Sequence, residues 1–212
     1  MACNWKCMAD NYQDGNYHVY LCHPGLIGCF DMDKSHNELY DSVTLMCGPN
    51  KPRADWPPEG RVDGSLSAAA METRTRGGSS QSYNMMYPNV FFNRYGCWMS
   101  VTNVQPVGEN ACLTTFDLFF KPQQLADTEF VEMCARAEDS LQKEDIELCL
   151  RVGENLRNPL YNAGRYAPIE APMWWFHQKL HADIFGGDPP GLHHPLPGAN
   201  SSYMSRQAAL YD

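Results

Sequence analysis

An α+β fold, an antiparallel sheet followed by helices, is predicted by three observations on the chain. Between Tyr83 and Lys121, runs rich in aromatic and β-branched residues alternate with turn residues, the pattern of a meander. Beyond Pro122 the apolar positions recur at helical spacing instead. With 212 residues, 43% of them hydrophobic and 12% aromatic, the chain is long enough for one good-sized core. These features predict one domain over residues 1–185 and an irregular Pro/Gly-rich tail over 186–212.

The N-terminal stretch NWKCMADNYQDGNYHVYLCHPGL, Asn4 to Leu26, sets His18 and His23 among Asp10, Asn11 and Asp14. Apolar and aromatic positions from Met8 to about His23 recur at helical spacing, which places the two histidines on or just after a first helix. Residues five apart on an ideal helix point about 140° away from one another, so two ligands of one ion cannot both sit on its regular part. Pro24 marks the break, because the residue before a proline is pushed out of the α region, and Gly25 permits the turn. Two imidazoles with one carboxylate are the ligands of a mononuclear non-haem ferrous centre, and the third ligand would come from elsewhere in the chain. The spacing alone leaves a second reading open, two histidines packed or exposed on a tyrosine-rich helix.

Gly25 to Asn50 reads as short strands and turns, with Val43, Leu45 and Cys47 on one side and Ser42, Thr44 and Met46 on the other. His36 reads as an ordinary surface or loop residue there. Lys51 to Ser82, with Pro-Pro-Glu-Gly, an alanine triplet and Gly77-Gly78, reads as turns and a surface loop; it lacks the ending of a phosphate-binding loop. In the meander, Val90 to Phe92, Cys97 to Val101 and Cys112 to Phe120 are separated by Gly96 and by Pro106 to Asn110. Its aromatic density suits a sheet core. The same rings could hold a cationic substrate by cation–π attraction, which makes Tyr87, Phe92 and Trp98 candidate substrate-binding residues.

Asp127 can cap a helix running through Phe130 and Cys134. A second helical pattern carries the apolar stripe Ile146, Cys149, Leu150, Val152 and Leu156, with Glu144, Asp145 and Glu147 near its start, where carboxylates favour the helix dipole. Gly164 to Pro168 is a turn, and Trp174 to Phe185 a last helix closed by Gly186-Gly187. His177 and His181 share one face of it, but Gln178 stands where a His-Glu-x-x-His zinc site has glutamate. Asn200-Ser201-Ser202 is a glycosylation acceptor by pattern only.

A net charge of −9 argues against nucleic acid and against an anionic membrane surface, and suits a cationic substrate or a basic partner. The nine cysteines form no Cys-x-x-Cys and lie mostly among apolar residues, the pattern of buried reduced thiols in an intracellular protein. No apolar run approaches the ~20 residues of a membrane span, and no targeting peptide is recognisable. A soluble chain is expected.

Three blocks in order carry a family resemblance. They are Asn4-Trp5-Lys6 with Asn11-Tyr12-Gln13-Asp14-Gly15-Asn16-Tyr17-His18 and His23-Pro24-Gly25-Leu26; Tyr87-Pro88-Asn89 with Asn93-Arg94-Tyr95-Gly96 and Trp98-Met99; and Glu144-Asp145 followed by Gly164-Arg165-Tyr166-Ala167-Pro168. From about Asn4 to Leu180 the chain resembles the catalytic domain of Rieske-type ring-hydroxylating oxygenases, in their choline monooxygenase-like subgroup. The resemblance implies a helix-grip (Bet v1/START-like) antiparallel sheet around a long C-terminal helix. It implies Fe(2+) on His18, His23 and Asp145, with Asn11 close to the metal. It further implies use of O2 and two electrons to hydroxylate a C–H bond; for choline the product is betaine aldehyde hydrate. Another quaternary ammonium, a carnitine-like betaine or an aromatic substrate remain alternatives, as does a non-catalytic ligand-binding module.

The family's electrons come through a [2Fe-2S] cluster on Cys-x-His and Cys-x-x-His motifs, which this sequence does not contain. The cluster is therefore expected on a missing domain or a separate Rieske protein fed by reduced ferredoxin. Relatives form trimers in which a carboxylate three residues before the first histidine bridges one subunit's cluster to the next subunit's iron. Gly15 occupies that place here, and Asp14, one residue earlier, is the candidate bridge. If a transit peptide precedes this start, the resemblance places the protein in the chloroplast stroma, otherwise in the cytoplasm.

Overall fold

The structure is a computed structural model that describes residues 1–52, 61–62, 65–66, 74–161 and 164–187. Pro-Pro-Glu-Gly, the alanine triplet, the Asn200 acceptor and all of the expected tail beyond Gly187 lie outside the described residues. Helices are α1 (Trp5–Gln13), α2 (Val19–Cys22), α3 (Pro24–Ile27), α4 (Pro122–Leu125), α5 (Thr128–Asn155) and α6 (Ala171–Phe185). Strands are β1 (His36–Leu39), β2 (Val43–Pro49), β3 (Arg61–Val62), β4 (Ser65–Leu66), β5 (Ser80–Met86), β6 (Val90–Arg94), β7 (Trp98–Gly108) and β8 (Ala111–Phe120). Six of them form one sheet in the order β1-β2-β5-β6-β7-β8, every neighbouring pair antiparallel, and β3 and β4 pair separately.

The meander extends further than expected in both directions. β1 and β2 join its edge. Pro106 to Gly108, expected in a turn, continue β7 with an irregular register, so that Glu109 and Asn110 alone link β7 to β8. Proline is tolerated there because the register is irregular at that point. Alternation is clear in β2, where Thr44, Met46 and Gly48 are buried between half-buried neighbours.

Helix α1 starts at Asn4, whose side chain accepts from the Lys6 N–H, and packs into one core with the sheet, α5 and α6. Cys7, Met8 and Ala9 meet Met85, Phe91 and Val104 from the sheet, Cys149 from α5 and Trp174 to Phe176 from α6. Two buried polar contacts fix its rotation: the Thr44 hydroxyl donates to Gln13 Oε1 at 2.6 Å and the Tyr12 hydroxyl to Asn93 Oδ1 at 2.6 Å. A second core, with Val19, Leu26, Phe30, Met46, Tyr83 and Trp98, lies beneath the segment after α1.

Two helix expectations need correction. The first helix does not run to His23 but ends at Gln13, because Gly15 and Asn16 both take the left-handed conformation at φ 68°. The two expected C-terminal helices between Asp127 and Leu156 are one helix of 28 residues, capped by Asp127, which accepts from the Phe130 N–H. Nothing between Ala135 and Lys143 interrupts it, for these are mostly good helix formers without glycine or proline. Glu144 and Asp145 therefore lie deep in α5, and the dipole account of their position fails.

Its buried side, Met133, Cys134, Ala137, Glu138, Leu141, Gln142, Asp145 and Cys149, repeats every three or four residues. Glu138 anchors that side to buried Arg76 at 3.4 Å, and the Arg76 guanidinium lies 4.3 Å from the Tyr95 ring centre. Helix α6 ends as expected, at Gly186 with φ 78°. Its histidines face different partners: His177 Nε2 meets Asp10 Oδ1 at 2.6 Å, and His181 Nδ1 meets the Gly187 carbonyl. Among strand residues, His36 pairs with Glu38 at 3.1 Å.

Gly15 is the most constrained point of this arrangement. A Cβ there would stand 2.0 Å from the Ile169 carbonyl oxygen, on backbone held at φ 68°. Gly15→Ala is expected to destabilise the fold by at least about 2 kcal/mol, read as a lowered urea midpoint; an unchanged midpoint would contradict the geometry.

Candidate metal centre

The end of α1 at Gln13 turns the chain so that His18 and His23 reach the same side. Asp14 organises the turn: its Oδ1 accepts from the Tyr17 N–H at 3.1 Å and its Oδ2 from the His18 N–H at 2.8 Å. His18 precedes α2, and His23 stands between α2 and α3 with φ −122°, outside the helical region as the following proline requires.

Asp145 meets them from the buried side of α5. One ligand atom each from His18, His23 and Asp145 lies within 4.8 Å of the others, an arrangement that could hold a metal ion. His23 Nε2 is 3.0 Å and His18 Nε2 3.5 Å from Asp145 Oδ1, and the two rings stand edge to face with centres 5.0 Å apart. Asn11 Nδ2 donates to the same oxygen at 2.8 Å.

The remaining ring nitrogens are also held. His18 Nδ1 lies 2.8 Å from Asp14 Oδ2, and His23 Nδ1 lies 2.7 Å from Glu144 Oε2. With Nδ1 donating to a carboxylate, each imidazole keeps the Nε2 lone pair for a cation, the arrangement found behind histidine ligands generally. The donor set thus fits a divalent transition metal of intermediate softness. For His23, burial by itself would lower the pKa, but hydrogen bonds and charge from Asp145 and then Glu144 outweigh it and leave the ring more basic than its ordinary 6.5. Glu144, next to a ligand candidate in sequence, thus has an orienting position that sequence reasoning missed; its adjacency to Asp145 was the available signal.

A small cavity opens onto the three residues. Tyr12 and Tyr83 contribute its aromatic rings, Val19, Leu26 and Leu141 its apolar surface, and Asn11, Asn16, Asn93 and Gln142 its amides. Burial, the charges of Glu138 and Asp145 and that of Tyr83 raise the Tyr12 phenol well above its ordinary value against the Asn93 hydrogen bond, so it stays protonated.

The structure does not bring Tyr87, Phe92 and Trp98 to this cavity. Tyr87 packs on α6, its hydroxyl donating to Asp183 at 2.7 Å. Phe92 alternates with buried Phe91 and Asn93 on β6 and so points to the other face of the sheet. Trp98 is buried beside Phe120, and its indole N–H donates to the Thr75 carbonyl at 2.6 Å. The rings that do line the cavity, Tyr12 and Tyr83, lie on α1 and β5. Tyr12 was legible as part of the Asn11 to His18 run, whereas nothing local to Tyr83 announces it.

Residues 1–184 match the family model described as the ring hydroxylating alpha subunit, catalytic domain. Among curated proteins, the chloroplastic choline monooxygenase of Arabidopsis thaliana is 34% identical over 183 residues, covering 86% of this chain and 40% of that protein. The chloroplastic choline monooxygenase of Beta vulgaris is 32% identical over 188 residues, covering 87% and 38%. The chain thus spans about two fifths of the length of these relatives.

Among solved structures, a quaternary ammonium Rieske monooxygenase described for carnitine oxidation by gut microbiota and inter-subunit electron transfer superposes with a TM-score of 0.56 at 21% identity, covering 77% of this chain and 40% of that one. Dicamba monooxygenase superposes with a TM-score of 0.52 at 15% identity, covering 99% and 56%. At these identities the structures speak to fold, and the fold is the helix-grip-like catalytic domain of Rieske oxygenases. On the family match over residues 1–184 and the identities above 30%, the chain belongs to the ring-hydroxylating oxygenase alpha subunits through their catalytic domain.

Proposed function

We propose that this chain is the catalytic domain of a choline monooxygenase-like oxygenase, which uses O2 and a mononuclear Fe(2+) held by His18, His23 and Asp145 to oxidise choline to betaine aldehyde hydrate. The observation that carries the reading is the convergence of the three ligand atoms within 4.8 Å at a small cavity. A ferrous ion bound there would supply the activation of dioxygen. The protein's own part is to prepare the ligands and place the substrate. Glu144 and Asp14 hold the imidazoles through Nδ1, and Asn11 holds Asp145 Oδ1. The rings of Tyr12 and Tyr83 offer the trimethylammonium group cation–π attraction worth roughly 0.5–2 kcal/mol per well-placed ring.

Hydroxylation needs two external electrons. In this reading they come from a [2Fe-2S] cluster on a Rieske domain or protein outside this sequence, reduced by ferredoxin, within a homo-oligomer such as a trimer. Asp14 is the proposed bridge toward that cluster, since it already touches His18 Nδ1. The relatives' names favour choline, and they place those proteins in the chloroplast. Among the described residues no helix is long and apolar enough to cross a membrane.

Anaerobic reconstitution should give close to one iron per chain, lost in His23→Ala and in Asp145→Ala. Glu144→Gln should keep the stoichiometry but weaken affinity by roughly 10–100-fold, the usual cost of losing such an orienting partner. Equal iron content in wild type and Asp145→Ala would sink the assignment.

The raised pKa of His23 sets a proton linkage. In the metal-free chain its protonated form contributes stability that is full below the unfolded value of 6.5 and is lost as pH rises through the raised folded value. Metal requires the neutral ring, so iron binding should release a proton and its apparent affinity should fall as pH is lowered through that range. Competition with a chromophoric chelator at a series of pH values measures it; a flat profile would contradict the site.

With a reductase and a Rieske partner, choline should yield betaine aldehyde, detected by mass spectrometry, and His18→Ala should abolish the product. Unchanged turnover in that variant would refute the mechanism.

A further inference from the structure

The geometry points to Gln142 as the residue that recognises the substrate's polar end, and to a neutral hydroxyl, rather than a carboxylate, as the group it takes. This inference rests on the oxygenase reading above. Gln142 lies three residues before Asp145 on α5, on the same buried side, and lines the same cavity as the ligand candidates. It is 4% exposed, and neither its Nε2 nor its Oε1 has a hydrogen-bond partner. An amide buried this far normally has partners for its polar atoms, and a group that both donates and accepts would pair with both of them.

Two neighbouring amides show the same deficit. Asn16 Nδ2 and Asn11 Oδ1 are buried without a partner, and both residues line the cavity. The orientation of Asn11 is set by its Nδ2 bond to Asp145, which leaves Oδ1 as an acceptor. Residues that line the cavity therefore carry unpaired donors and unpaired acceptors together.

That combination selects the ligand by chemistry. A hydroxyl donates and accepts, and so can pair with both atoms of one amide. An ionised carboxylate only accepts; it would leave Gln142 Oε1 and Asn11 Oδ1 facing negative charge. Among the described residues lining the cavity there is neither lysine nor arginine to pair with it, so its charge would be met by a bound metal ion and not by Gln142. A quaternary ammonium makes no hydrogen bonds and is left to the tyrosine rings. The ligand class is thus a small cationic alcohol, whose hydroxyl reaches Gln142 as its ammonium group reaches Tyr12 and Tyr83.

The test is calorimetric binding to the full 212-residue chain, both metal-free and reconstituted anaerobically with ferrous iron. Choline is compared with ethyltrimethylammonium, which lacks the hydroxyl, and with carnitine, which adds a carboxylate. Wild type is expected to bind choline about tenfold more tightly than ethyltrimethylammonium, the loss that follows when buried polar atoms go unpaired. Carnitine should bind more weakly than choline. In Gln142→Met, which keeps the volume and removes the amide, the ratio of choline to ethyltrimethylammonium should fall to within about twofold. Affinity for ethyltrimethylammonium and iron content should not change.

Equal wild-type affinity for choline and ethyltrimethylammonium, or an undiminished ratio in Gln142→Met, would overturn the assignment and leave the oxygenase reading standing. Iron uptake with binding of neither cation would overturn the quaternary ammonium substrate and the assignment together. Should Gln142→Met fail to fold, Gln142→Leu takes its place in the same ligand series, and the wild-type ratio still decides whether a hydroxyl is recognised.

Discussion

One carboxylate oxygen, Asp145 Oδ1, ties together the residues of the candidate site. It accepts from Asn11 Nδ2 at 2.8 Å, and His23 Nε2 and His18 Nε2 lie 3.0 Å and 3.5 Å from it. A carboxylate that is 3% exposed is costly to bury unless its charge is met by donors or a cation. Those donors come from α1 and from the segment after it, more than a hundred residues earlier in the chain. Electrostatics therefore ties the N-terminal segment to the middle of α5 independently of the apolar core. Glu138, two turns before Asp145 and anchored to Arg76, keeps that side of the helix facing inward.

Much of this was legible from sequence, for identifiable reasons. The meander could be read because its strands alternate and its turns carry glycine, asparagine and proline. The two histidines could be placed because Pro24 excludes His23 from a regular helix. The break at Asp14 to Asn16 was less visible, since Asn-Tyr-Gln-Asp-Gly-Asn-Tyr-His keeps aromatic residues at helical spacing through the turn. Its cause is a packing requirement at Gly15 against Ile169, a contact with a residue far along the chain. The continuity of α5 was missed because its apolar stripe gives way to Glu138, Gln142 and Asp145, polar residues on the buried side. A helix that buries polar groups looks, in sequence, like a helix that has ended. Of these, Gln142 and Asp145 line the cavity.

Aromatic residues misled for a related reason. Tyr87, Phe92 and Trp98 cluster in a strand-rich, family-like region, yet β-strand alternation and the packing of α6 send each of them elsewhere. Tyr83 and Tyr12 reach the cavity from β5 and α1. Which ring faces a site depends on the register and on how helix and sheet are stacked, and neither is encoded locally. Gln142 illustrates the same point, since only the three-dimensional arrangement reveals that both of its polar atoms lack partners.

The two histidines, alike in sequence, stand in unlike surroundings. Asp14, behind His18, has a side chain 12% exposed and is committed to two backbone N–H groups as well. Glu144, behind His23, is 44% exposed. Mobile ions screen a carboxylate that water reaches far more than one enclosed by protein. Asp14 is therefore an insulated tether and Glu144 one that answers to the medium, so the two imidazoles are not interchangeable: dissolved salt acts on the grip of one and leaves the other's nearly constant.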